Sequence, residues 1–184
     1  MIHGGNEGVN KAASAGRFVE KLNNNVKVDV MDWQFNPSNA LQICSKYDLI
    51  IDCCDNPETR YLANECAVKL QKAFISGASV RWDGQLSVYV RNCKGEKLPC
   101  YKCINPTPPT KEEASKMKCN AIGVMPTAPG IIGTLEANEA IKFLLGLNDN
   151  LLQKKMLIFD GLDLKFRTVK LRERNEKCSV CGDK

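Results

Sequence analysis

The chain has 184 residues and a formal net charge of +5, with 43% apolar and 26% charged residues. That balance fits a globular domain with a real core and excludes both a disordered polyampholyte and a membrane bundle. The basic residues are spread without an arginine- or lysine-rich block and aromatics make up only 7%, which argues against nucleic acid as a partner.

KAASAGRFVEKLN at 11–23 has helical character and breaks at the asparagines that follow it. VKVDV at 26–30 alternates β-branched and polar residues and predicts a strand. Pro37, Ser38 and Asn39 open a helix expected to run through Ser45. YDLIIDCC at 47–54 is a nearly continuous apolar run, the mark of a buried parallel strand. A helix over 57–71 follows, with Pro57 in its first turn, and then a strand over 72–77. This β-α-β-α-β rhythm predicts a Rossmann-like, doubly wound, mostly parallel α/β sheet, which is expected to continue into an antiparallel part.

After Gly77 the character changes. GQLSVYVRN at 84–92 alternates as a strand. Residues 104–127 carry Pro106, Pro108 and Pro109 and read as an irregular crossing segment, with a short helix over 111–117. Segments of that length in a compact domain are usually functional or mobile. A helix is expected over 130–146, with Gly133, Ala137, Ala140, Ile141 and Leu144 along one side and Glu136, Glu139 and Lys142 facing away. Two strands, over 155–161 and 164–172, close the pattern across a short turn.

Ten cysteines raise the question of compartment. Cys53 and Cys54 stand inside an apolar run and Cys44 and Cys66 in helical segments, so all four read as small buried hydrophobes. With no basic-then-apolar leader pattern and no stretch of membrane-span length, a reducing compartment is expected, and the cytosol in particular. Two pairs share a C-x-x-C spacing: Cys100 with Cys103 in PCYKC, and Cys178 with Cys181 in KCSVCG. Each pair can offer two thiolates from one tight turn, and two pairs complete the tetrahedral shell of a structural zinc ion. Such an ion would clamp the mid-chain segment to the C-terminal end. The alternatives are a redox pair, which belongs at a strand-to-helix junction, or four unconnected thiols.

DCCDN at 52–56 places Asp55 where a strand stops and a helix begins. Ligands of open α/β sheets bind at such carboxyl ends, and a carboxylate there can hold Mg²⁺ against a phosphate chain. The competing reading makes Asp55 or Asn56 the cap of the next helix. Asp52, inside the run, is expected to make an internal hydrogen bond.

The strings ISGASVRWDGQLSVYV, PCYKC, KCNAIGVMPTAPGIIGTLEANEAIKFLLG and CSVCG together resemble the MoeB/ThiF family of adenylyltransferases, relatives of ubiquitin-activating enzymes, from His3 to Gly182. The resemblance implies ATP-Mg as the activating substrate. It implies as partner a ubiquitin-like or sulfur-carrier protein ending in Gly-Gly, whose C-terminal glycine is adenylated for sulfur transfer in molybdopterin, thiamine or tRNA-thiolation pathways. It implies a homodimer. Lys11 matches the family's ATP-contacting lysine and Asp55 its Mg²⁺-binding aspartate, with Asn56 and Arg60 shaping the nucleotide pocket. Cys100, Cys103, Cys178 and Cys181 match its structural zinc ligands. Cys119, beside Lys116 and Lys118, falls where many relatives keep a sulfur-handling cysteine.

The expected organisation is a single ThiF-type domain fragment over 1–184, with a partial nucleotide-binding half at 1–79. Residues 80–184 would then hold the crossover segment, the zinc site and the carrier-binding half. The GxGGxG phosphate loop that the resemblance implies is not found here: neither Gly4-Gly5 nor Gly130-Ile131-Ile132-Gly133 follows a strand at the required spacing. The sheet is therefore expected to expose an edge, and the 184-residue chain alone to show little or no adenylation. A non-catalytic carrier-binding subunit or pseudoenzyme of the same fold is the alternative.

Overall fold

Residues 8–90, 92–93, 96–116 and 122–183 are described by the computed structural model, which falls into a unit over Met1–Phe35 and a larger one over Asn36–Lys184. In the smaller unit, α1 (Lys11–Leu22) begins where the Asn10 side chain accepts hydrogen bonds from the Ala12 and Ala13 amides at 2.9 and 3.2 Å. Gly16 lets the returning segment close on this helix, since a Cβ there would run into the Val30 side chain. Residues 26–30 form no strand, although their alternation predicts one. A strand exists through a hydrogen-bonded neighbour, and none pairs with them among the described residues.

The larger unit starts with α2 (Ala40–Ser45), β1 (Leu49–Asp52), α3 (Pro57–Lys69), β2 (Ala73–Val80) and β3 (Asp83–Tyr89). A small hairpin of β4 (Asn92–Cys93) and β5 (Glu96–Lys97) leads to the short helices α4 (Tyr101–Ile104) and α5 (Lys111–Lys116). The long α6 (Thr127–Leu144) and the strands β6 (Lys155–Asp160) and β7 (Lys165–Lys170) complete it. The main sheet has the order β1-β2-β3-β6-β7, parallel between β1 and β2 and antiparallel beyond. The sheet runs from parallel into antiparallel as expected, although among the described strands only β1 and β2 pair in parallel, where the sequence rhythm predicts a mostly parallel sheet. The run at 47–54 yields only four strand residues at the sheet's edge, with Ile51 41% exposed. Cys53 and Cys54 lie past its end. Against expectation Cys53 is exposed and Cys54 half-buried, whereas Cys44 and Cys66 are buried.

Alternation along β2 gives the sheet two covered faces. Phe74 and Ser76 point toward α3 and α4: the Phe74 and Tyr101 rings lie 6.5 Å apart, and Ser76 donates to Asp52. Ile75 and Gly77 point toward α6, where Ile75 packs with Leu86, Val88 and Ala140. The orientation of α6 corrects the sequence expectation. Glu136 and Glu139 are buried, while Ile141 and Leu144 are exposed, Leu144 by 62%. Apolar residues occur nearly all round this helix, so periodicity cannot choose its buried side. The sheet chooses it: Ile132 and Glu136 settle over the gap left by Gly77 and Gly84. Lys142 turns back to pair with Glu139 and does not simply face solvent. Gly146, at φ +73°, ends the helix in the left-handed conformation.

The glycine gap has a measurable consequence. A Cβ on Gly84 would lie 2.7 Å from Ile132 Cδ1, so Gly84→Ala should destabilise the chain by about 1–3 kcal/mol in urea unfolding. Gly133→Ala, on the open side of α6 with nothing within 4 Å of the new Cβ, should be neutral or stabilising by up to about 1 kcal/mol. Equal effects at the two positions would refute this packing.

Candidate active site and metal centre

β1 stops at Asp52 and the chain turns through Cys53, Cys54 and Asp55 into α3. Asn56 is the N-cap, its Oδ1 accepting from the Thr59 amide at 2.8 Å, and Pro57 fits the first helical turn. The turn is held from beneath. Asp52 Oδ1 accepts from the Cys54 amide at 3.0 Å, and Oδ2 accepts from Ser76 Oγ at 2.9 Å and from Arg60 Nε in a salt bridge. Arg60 spends its remaining reach on carbonyls: Nη2 donates to Cys54 at 3.1 Å and to Gly77 at 3.2 Å.

The charge balance follows from that geometry. Burial works against the Arg60 guanidinium, but the Asp52 carboxylate outweighs it and holds the arginine above its ordinary pKa. Burial and the Asp52 charge push the Cys54 thiol up to about 12, and burial with the Glu136 and Asp52 charges pushes Cys53 up to about 11. Neither thiol is a ready nucleophile at neutral pH. Asp55 lies exposed on the outside of the turn. Thus Asp55, Asn56 and Arg60 fall on one strand-to-helix junction, with Arg60 turned inward and Asn56 committed to capping. Lys11, expected to contact ATP, is exposed at the first position of α1 in the smaller unit. Cys119 and Lys118 lie outside the described residues.

The two C-x-x-C pairs meet. Cys100 caps the one-turn helix α4 and Cys103 lies inside it, while Cys178 and Cys181 come from the turn that follows β7. All four sulfurs lie within 4.8 Å of one another, with separations of 4.0 Å for Cys100–Cys103, 3.9 Å for Cys100–Cys178 and 3.3 Å for Cys103–Cys181. A tetrahedral ion with metal–sulfur bonds of about 2.3 Å needs sulfurs about 3.8 Å apart, so the cluster could hold a metal ion. Cys100, Cys103 and Cys181 are buried. Hydrogen bonds to Cys103 and Cys181 raise the Cys100 thiol, and those from Cys100 and Cys103 lower Cys181.

Sequence reasoning missed the residues around this cluster. Asn64, buried on α3, places Nδ2 at 3.9 Å from Cys100 Sγ and accepts from the Tyr101 amide at 2.9 Å. Arg174 donates to the Cys181 carbonyl at 2.7 Å and pairs with Asp183 at 3.0 Å. Gly182 passes so close to the Glu176 and Cys178 carbonyls that a side chain would collide with backbone. A signal for the α3 residues was present: Asn56, Arg60 and Asn64 recur at intervals of four, which puts them along one line of a helix. Glu136, whose burial was not foreseen, packs its carboxyl against Gly77, one residue past the end of the β1–β2 pairing.

The ion pair predicts an asymmetry between the two aspartates of DCCDN. Asp52→Ala strands Arg60, whose side chain is 14% exposed, and should cost about 3–5 kcal/mol in chemical denaturation. Asp55→Ala, on the exposed side of the same turn, should change stability by less than about 0.5 kcal/mol.

A model of the ThiF family matches residues 3–180. The adenylyltransferase and sulfurtransferase MOCS3 of Dictyostelium discoideum is 39% identical over 178 residues, which are 97% of this chain and 40% of that protein. The MOCS3 of Arabidopsis thaliana is 42% identical over 173 residues, 94% of this chain and 36% of that protein. The chain thus spans about two fifths of the length of these curated relatives. Among solved structures, Escherichia coli MccB with ATP superposes with a TM-score of 0.72 at 20% identity, over 95% of this chain and 52% of that one, a likeness of fold. The family match over nearly the whole chain, together with the identity to these relatives, decides the assignment: the chain belongs to the ThiF family.

Proposed function

We propose that the protein adenylates the C-terminal glycine of a ubiquitin-like or sulfur-carrier protein with ATP-Mg, in preparation for sulfur transfer in molybdopterin, thiamine or tRNA-thiolation chemistry. The observation that carries this reading is the exposed Asp55 on a strand-to-helix turn braced from below, in a chain 39% identical to an enzyme named adenylyltransferase and sulfurtransferase. In the reaction, a carboxylate oxygen of the carrier's last glycine bonds to the α-phosphorus of ATP and pyrophosphate leaves. Asp55 would hold Mg²⁺, which offsets the negative charge that builds on the departing pyrophosphate. Lys11 would contribute positive charge to the phosphates, and Asn56 and Arg60 would fix the shape of the turn beneath them. Cys119 would handle sulfur, with Lys116 and Lys118 just before it in sequence to favour its thiolate. The carrier protein and a second copy of the chain are the partners this reading requires, and the cytosol is its compartment. No helix among the described residues is long and apolar enough to cross a membrane.

The four sulfurs of Cys100, Cys103, Cys178 and Cys181 would hold zinc, a closed four-thiolate site with a structural role. Purified chain should carry one zinc by elemental analysis, Cys181→Ser should lose it, and chelation should lower the melting temperature. Absence of stoichiometric metal would overturn the site.

Function is tested by capture. A sulfur-carrier protein ending in Gly-Gly should be retained by the immobilised chain, and removal of its last two glycines should abolish retention. ATP–pyrophosphate exchange by the 184-residue chain should stay near background, because it contains no GxGGxG phosphate loop. Equal retention of the truncated carrier would sink the proposed substrate, and robust exchange would sink the expectation of a weak isolated chain.

A further inference from the structure

Glu136 is a carboxyl that neither the proposed chemistry nor the metal cluster uses, and its surroundings are unusual. It sits on α6 with 5% of its surface exposed, pressed against Gly77 so closely that a Cβ there would lie 2.6 Å from its Cδ. Its Oε1 has no hydrogen-bond partner. A buried carboxylate with a bare oxygen costs far more than a protonated carboxyl in the same place.

The neighbouring charges decide where the proton rests. Asp52, at the end of β1, has three donors: the Cys54 amide, Ser76 Oγ and Arg60 Nε. Among the described residues Glu136 draws only on the Gly77 amide. β1 brings Asp52 and Cys53 toward Glu136, α3 brings Arg60, and β3 presents Gly84, Leu86 and Val88 to the helix. One turn further along α6, Glu139 is already satisfied by Lys142 and the Leu152 amide at 2.9 Å. Arg60 therefore pairs directly with Asp52, and among the described residues no cation pairs directly with Glu136.

We propose that Glu136 is a positioning residue that works as a neutral acid, holding the proton that lets Arg60 serve Asp52 alone and so keeps the Asp55 turn in place. Gly77 is the hinge of this device. β1 pairs with β2 only as far as Ser76, and beyond it the Gly77 amide goes to Glu136 while the Gly77 carbonyl takes Arg60. Ionisation of Glu136 would set a second carboxylate against Asp52 and compete for the same guanidinium, loosening the backbone that carries Cys54 and Asp55. Burial, together with the Asp52 charge, pushes Glu136 up to about 7, with the Gly77 amide and Arg60 pulling the other way.

The sign follows from linkage. A carboxyl raised in the folded state favours folding fully at pH values below its ordinary range, and that contribution falls as pH rises from about 4.5 to about 7, then levels off. The direct test is a carboxyl-carbon NMR titration of the 184-residue chain labelled in glutamate. One resonance should titrate about two or more pH units above the others and vanish in Glu136→Gln. In parallel, the melting temperature of the wild type should fall across that window more steeply than that of Glu136→Gln, with the two curves closest at the acidic end. If every glutamate titrates below pH 5.5, the proposal is wrong, whether or not the variant folds. Neither measurement uses nucleotide or carrier, so a failure here leaves the adenylation reading standing, and the reverse also holds.

Discussion

A guanidinium under a sheet edge organises the part of this protein where chemistry is expected. Arg60 pairs with Asp52 at the end of β1 and also takes carbonyls from Cys54 and Gly77, so one side chain ties together a strand, a helix and the turn between them. The cost of burying that charge is offset only while the carboxylate and both carbonyls stay in place. That brace reaches the turn displaying Asp55 through the Cys54 amide and carbonyl.

α3 joins this junction to the sulfur cluster. Asn56 caps it, Arg60 braces the strand end one turn later, and Asn64 one turn beyond that reaches Cys100 and the Tyr101 amide. Tyr101, between the first two cysteines, stacks edge-on with Tyr61 of α3 at 5.1 Å and with Tyr89 of β3 at 6.0 Å. The helix therefore faces two sites along one line, and a shift of its axis would be felt at both. Two regions that look unrelated in sequence, DCCDN and PCYKC, share one mechanical support.

Local signals were legible wherever local chemistry decides structure. Asn56 with Pro57 marks a helix start that the backbone uses, and the equal spacing of the two cysteine pairs anticipates four sulfurs in one cluster. Tertiary choices were not legible. Residues 26–30 alternate like a strand, but alternation cannot supply a pairing neighbour. The buried side of α6 was misread because its apolar residues surround it, and two glycines on other strands select the side that carries Glu136. Cys53 reads as core from its neighbours, yet β1 stops one residue before it. Nothing in the sequence says that the partner of Arg60 is the aspartate eight positions earlier.

At the far side of the sheet, β7 ends the strand order and all six of its residues are exposed. Its outward N–H and C=O groups are a template on which a foreign chain could crystallise as one more strand. Lys165, Arg167 and Lys170 put like charges on both faces of that template, so an identical strand arriving from another molecule meets repulsion before it meets a hydrogen bond. An open rim can thus persist in a crowded solution without seeding fibrils.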